Sequence, residues 1–169
     1  MFITLQELEL HRVSVSETYL PGALDFQEAG FRQTGPLVVK AEAELAGEEI
    51  QVRGHISGTM EAACDRCLEQ TEIPVDVDFD LPYRPMEEIA HEEEVGVSED
   101  ELKVGFFSGD GVNLSDIVRE QVLLAVPMKV ICQPDCRGLC PVCGANRNVR
   151  QCDCSLQHED SPFAILKKK

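Results

Sequence analysis

Eight cysteines carry most of the chemistry open to this sequence. They fall in four close pairs: Cys64/Cys67, Cys132/Cys136, Cys140/Cys143 and Cys152/Cys154. Two thiolates on a short spacer can reach one ion from a single turn of chain, and two such pairs complete a tetrahedral zinc site. Four pairs therefore suit two zinc ions. Cys140-Pro-Val-Cys143-Gly144 is the most specific element. A glycine after the second ligand can take positive φ, which turns backbone N–H groups towards the sulfurs. Cys64-Asp-Arg-Cys67 is less specific. A thioredoxin-like dithiol needs a strand-to-helix setting that lowers one thiol pKa. This pair instead sits between two strand patterns, at a hairpin tip, which favours metal.

Only Arg137-Gly138-Leu139 separates the second pair from the third, a short link for opposing them across one ion. Eight residues separate Cys143 from Cys152, enough to fold back. Cys140/Cys143 is thus expected to join Cys152/Cys154. Cys64/Cys67 then joins Cys132/Cys136 in a long-range site that staples the hairpin tip to a later segment. In the alternative, a single group of four binds metal and the other thiols are ordinary. A catalytic zinc keeps an open position and draws on histidine or carboxylate. His11, His55, His91 and His158 are scattered, and no nucleophile elbow, P-loop or dinucleotide fingerprint is present. The sites read as structural, and the chain as a non-enzyme.

The elements that must position these pairs are mostly strands. Ile3 to Leu5 is a short strand candidate, and Val13 and Val15 mark a second; Tyr19 to Gly35 reads as a connection. Val39, Ala41, Ala43 and Leu45 alternate with charged residues, then a turn follows at Ala46-Gly47-Glu48. Ile50, Val52, Ile56 and Met60 continue the alternation, and Ile73, Val75, Val77, Phe79 and Leu81 resume it after Cys67. This period of two predicts a three-stranded antiparallel meander with one buried face and one wet face. Asp76, Asp78 and Asp80 line the wet face of its third strand. Glu87 to Glu101 reads as a solvated acidic loop, and Val104 to Phe107 as a further strand. One helix is expected. Asn113 caps it, and Asp116 favours its first turn. Leu114, Ile117, Val118, Val122 and Ala125 form its stripe, and Pro127 ends it. The fold class is therefore α+β and β-rich: residues 1–131 form a meander packed by one helix, and 132–169 form a cysteine-rich zinc segment and tail packed on it.

The chain has 169 residues, 43% of them hydrophobic and none of them Trp, so its core is aliphatic. No apolar run reaches membrane-spanning length, and Met1 to Leu10 contains Glu7 and Glu9 in place of a signal-peptide layout. A cytoplasmic location is expected, where thiols stay reduced. The net charge is −16. Thirteen acidic residues and only Arg84 as a base lie between Glu69 and Glu101, whereas Lys129 to Lys169 holds seven basic and four acidic residues. Whole-body attraction to nucleic acid is excluded; a local contact through the C-terminal part, or a basic partner protein, is not.

Taken together, several stretches resemble the YceD family, the bacterial and plastid large ribosomal RNA subunit accumulation proteins. They are Cys64-x-Arg-Cys67; Leu114-Ser-Asp-Ile117 through Glu120 to Leu124-Ala-Val-Pro127; Cys132-Gln-Pro-Asp-Cys136-Arg-Gly-Leu-Cys140-Pro-Val-Cys143-Gly-Ala-Asn146; Cys152-Asp-Cys154; and Ser161-Pro-Phe-Ala-Ile-Leu166. The resemblance covers nearly the whole chain. It implies a role in accumulation of large-subunit ribosomal RNA and no enzymatic activity. It also implies that the Cys140 to Cys154 group, absent from many members, is not the shared centre. Arg147 stands where the family often carries an aliphatic residue. The expected partners are ribosomal RNA, a ribosomal protein or an assembly factor, with no membrane and no small-molecule substrate. Arg66, Lys129, Arg137, Arg147 and Arg150 are the candidate contacts. Two other readings stand beside this one. The Asp76 to Asp80 row and the 87–101 loop could receive a basic protein, or the cysteines could form a thiol redox sensor.

Overall fold

The computed structural model describes residues 1–26, 30–86 and 104–154. The expected acidic loop at 87–101, the 161–169 tail, His91 and His158 lie outside them. Contacts divide the chain into two compact units, Met1–Glu61 with Glu72–Pro127, and Ala62–Thr71 with Met128–Lys169. The tip that carries Cys64 and Cys67 thus belongs with the C-terminal cysteines, not with the strands on either side of it in sequence.

In the first unit, β2 (Val13–Tyr19), β4 (Leu37–Ala46), β5 (Glu49–Ala63), β6 (Gln70–Pro85) and β7 (Gly105–Phe107) lie side by side in that order, and β3 (Arg32–Gln33) also pairs with β5. The expected meander is the centre of this sheet. Gly47, with φ 70°, opens the two-residue loop between β4 and β5, where Ala46 faces Glu49. A glycine at that first loop position suits a tight hairpin of the twist-matched kind. Leu37, Val39, Ala41 and Ala43 on β4, Ile50, Val52, Ile56 and Met60 on β5, and Ile73, Val75 and Phe79 on β6 are buried. Gly54 and Gly58 occupy two of the inward positions of β5. A Cβ at Gly54 would lie 2.5 Å from Phe79 Cζ, and one at Gly58 2.5 Å from Leu37 Cδ2. The missing side chains make room for these two large neighbours.

Three expectations change. The first strand is β1 (Phe2–Thr4), and a helix α1 (Leu5–Leu10) follows it, so the protein has a second helix. Thr4 Oγ1 accepts from Glu7 N–H while the Glu7 carboxylate accepts from Thr4 N–H, and this reciprocal cap starts the helix. The connection after β2 contains β3. The sheet is mixed rather than purely antiparallel, because β7 runs parallel to the end of β6, Tyr83 facing Gly105. Separately, β1 pairs with β8 (Gly111–Asn113). That pairing leads into α2 (Leu114–Ala125), where Asn113 Oδ1 accepts from Ser115 N–H at 3.2 Å. Leu114, Ile117, Val118 and Val122 form its buried stripe.

On the outer face, Asp76, Asp78 and Asp80 stand in a row as expected, with side chains 80%, 90% and 60% exposed. They are partly answered by side chains of the neighbouring strand. His55 Nδ1 meets Asp78 at 2.8 Å, and Arg53 Nε meets Asp80 at 3.2 Å. Arg12 and Arg53 both reach Glu44. Such exposed pairs contribute little each, and they lower the charge that a basic partner would meet.

Candidate metal centre

Both cysteine groups lie in the second unit. The sulfurs of Cys64, Cys67, Cys132 and Cys136 lie within 4.8 Å of one another, and so do those of Cys140, Cys143, Cys152 and Cys154. The four pairs are brought together in the combination expected from their spacing. In the first group, Cys64 Sγ is 3.9 Å from Cys136 Sγ, and Cys67 Sγ is 3.6 Å from Cys132 Sγ. Four sulfurs each about 2.3 Å from a central zinc would be about 3.8 Å apart. The gap therefore fits the ion, whereas a disulfide would need about 2.05 Å. All eight cysteines are free.

Two knuckles share one backbone scheme. Cys64 N–H donates to Glu69 O at 2.8 Å, and Leu68 N–H to Cys64 O at 2.9 Å. Cys140 N–H donates to Ala145 O at 2.8 Å, and Gly144 N–H to Cys140 O at 2.8 Å. The residue after the second cysteine is left-handed in both, with φ 70° at Gly144 and 63° at Leu68. The less specific motif thus has the same geometry as the more specific one. Leu68 bears a steric penalty of about 1 kcal/mol there, and its side chain is 62% exposed, so burial does not offset it. Leu68→Gly is expected to stabilise the metal-loaded protein by about 0.5–1 kcal/mol in a denaturant titration. An unmoved or lowered midpoint would show that the strain is absent.

The first group is buried at Cys64, Cys67 and Cys136; in the second only Cys140 is buried, and Cys143 and Cys154 are exposed. Donors surround the first group. Cys132 N–H lies 3.4 Å from Cys64 Sγ and is the leading reason that the Cys64 thiol is pulled down to about 6. The backbone N–H groups of Cys143 and Val142 hold Cys140 at about 6. Burial pushes Cys132 up to about 12, and the hydrogen bond with Cys143 does the same to Cys154. An entering ion must displace the protons of these raised thiols, so binding weakens as pH falls.

Asn148 was not singled out by its sequence context, since nothing in the spacing marks it. Its Nδ2 donates to Cys136 Sγ at 3.3 Å and lowers that thiol, while its Oδ1 accepts from Arg137 N–H at 2.7 Å. A residue from the loop between Cys143 and Cys152 therefore steadies a sulfur of the other group. Asn148→Leu is expected to weaken zinc binding at the first group by about tenfold in competition with a chelator, the usual effect of losing an outer hydrogen bond. Affinity equal to wild type would count against the contact.

The candidate contact residues Arg66, Lys129, Arg137, Arg147 and Arg150 are all exposed. Arg66 already has a structural task. Its Nη1 donates to Cys136 O at 3.0 Å, and its own carbonyl accepts from Leu139 N–H at 2.9 Å. His55 lies with Asp76 and Asp78 on the outer sheet face, and His11 caps the end of α1. Among the described residues, no histidine joins either cysteine group, and no helix is long and apolar enough to cross a membrane.

The family model described as large ribosomal RNA subunit accumulation protein YceD matches residues 52–168, both cysteine groups included. The chain belongs to the YceD family. Among similar proteins, an uncharacterized protein of Mycobacterium tuberculosis is 28% identical over 140 residues, covering 80% of this chain and 61% of the relative. The protein named large ribosomal RNA subunit accumulation protein YCED homolog 1, chloroplastic, of Arabidopsis thaliana is 24% identical, covering 78% of this chain and 47% of its own length. YlbN of Bacillus subtilis, also uncharacterized, is 24% identical over 97% of this chain and 91% of its own length. The chain thus spans about three fifths of the mycobacterial relative and about half of the plant one. No solved structure matches.

Proposed function

We propose that this YceD protein is a non-enzymatic, zinc-binding factor that supports accumulation of large-subunit ribosomal RNA, and that its two metal centres hold loops against RNA. The observation that carries this reading is the pair of four-sulfur groups. Each supplies four thiolates, which fills a tetrahedral ion and leaves no position for substrate or water. Such a centre holds shape and does no chemistry. The family's name supplies the ribosomal role. The unit that carries the metal also carries exposed Arg137, Arg147 and Arg150, whereas the exposed arginines of the acidic sheet are paired with carboxylates, which supports RNA contact in the metal-bearing unit.

Depleting the protein from cells is expected to lower large-subunit relative to small-subunit ribosomal RNA, with restoration by the wild-type chain and not by Cys64→Ser. An unchanged ratio on depletion would overturn the reading. A second reading, capture of a basic ribosomal protein, is favoured by the exposure of Asp76 and Asp78. It predicts an association that survives RNase and weakens with salt.

A further inference from the structure

Arginines in the two units have different fates. Arg12, Arg32, Arg53 and Arg84 on the sheet all pair with carboxylates. Among the described residues, Arg137, Arg147 and Arg150 pair with none. Two of these three meet. Arg137, Arg147, Gln151 and Cys152 line a small cleft of about 180 Å³ in the second unit. The backbone behind it is locked. Arg147 N–H donates to Gly138 O at 2.9 Å, Arg137 N–H donates to Asn148 Oδ1 at 2.7 Å, and Leu139 and Asn146 form a bridge between the two segments. Gly138 is left-handed, with φ 69°, and a Cβ there would lie 2.9 Å from Arg66 O, so the turn that presents Arg137 is tightly seated.

We propose that this cleft is a phosphodiester-binding site, in which Arg137 and Arg147 clamp one backbone phosphate of RNA and the Gln151 amide completes the donor set. The proposal rests on the RNA-contact reading above and names the site that makes the contact. Guanidinium groups suit the task because each offers a planar fork that matches two phosphate oxygens. The backbones that carry the two forks are held together by hydrogen bonds, so binding costs side-chain freedom and little backbone freedom. The cleft has room for a phosphate group and not for a folded partner. Cys152, one of its walls, belongs to the second cysteine group, so a metal held there would fix the wall in place. The chain as a whole repels RNA, so affinity has to come from a local clamp of this kind.

The test uses the full-length, zinc-loaded protein and a mixed-sequence 20-nucleotide RNA, with binding followed by fluorescence anisotropy at several salt concentrations. R137Q/R147Q is expected to lose about tenfold or more in affinity and to flatten the dependence on log salt by about 1, with zinc content and melting unchanged. R137K/R147K, which keeps charge without the forks, is expected to recover only part of the loss. Arg32→Gln, on the acidic sheet, is expected to change affinity by less than about threefold. If wild type binds RNA and R137Q/R147Q binds equally well, the cleft proposal fails while the RNA reading stands. If wild type does not bind RNA, both fail. If the double variant loses zinc in step with RNA, the arginines serve the metal centre and the proposal is overturned. Capture of an acidic peptide in place of RNA would overturn it as well.

Discussion

Cys64→Ser is expected to abolish the ordered structure of the second unit, whereas Cys154→Ser should leave most of it in place. Among the described residues, the second unit has almost no aliphatic core; those buried in it are Ala62, Val130, Gly138 and four cysteines. An assembly of this size cannot hold itself together by apolar burial, so metal binding must supply most of its folding free energy, on the order of 10 kcal/mol per structural zinc. Cys64 is fully buried and pairs segments far apart in sequence, its sulfur meeting Cys136 72 positions on. Losing it leaves three thiolates, two of them buried, around a weakened ion and frees a long loop. Cys154 is exposed, so water can take its place on the ion. Chelation should act like Cys64→Ser and affect the first unit far less, because that unit has its own aliphatic core. The measurements are zinc content and hydrogen exchange at Leu68 and Leu139, whose amides bond within the second unit. Equal melting temperatures and equal protection for the two variants would show that the sites do not differ in this way.

A second large effect is expected at Gly54. In the β4–β5 pair it faces Ala41, and it lies on the inner face of the sheet. A Cβ there would sit 2.5 Å from Phe79 Cζ and 2.6 Å from Lys40 O. A ring can turn aside, but a strand carbonyl cannot move without disturbing the ladder. Gly54→Val should therefore cost about 3 kcal/mol and lower the melting temperature by about 6–12 °C. Phe79→Leu in the same chain should recover part of this and not all, since the carbonyl clash persists. Zinc content should not change. Full recovery by Phe79→Leu would place the whole effect on the ring, and an unmoved melting temperature would mean that the inner face has slack.

Much of this was legible beforehand, for reasons that particular residues make plain. Val39 to Leu45 and Val75 to Leu81 alternate strictly, so their faces follow from a period of two alone. The α2 stripe and its Asn113 cap are equally local. The α1 helix carried its signal too, Thr4 and Glu7 at capping-box spacing, but six residues are too few to show a helical period, and Ile3 suggested a strand. The two glycines in β5 interrupt its alternation in letters and not in space, because an inward glycine still marks the buried face. The place of β7 was not legible: its three residues pair with the end of β6 across an intervening segment that carries no strand pattern.

The ligand set has its source in short-range chemistry. Cysteines with one to three residues between them can serve a single ion whatever the rest of the chain does, so the four pairs and their candidate metal are written in the sequence. Contacts between distant segments set the rest. The left-handed turn at Leu68 has no glycine to announce it and exists because the surrounding hydrogen bonds impose it. Asn148 reaches Cys136, and Arg137 meets Arg147 around one cleft, only after separate loops have closed on each other. Their meeting depends on where folded loops bring side chains, and no spacing along the chain encodes that distance.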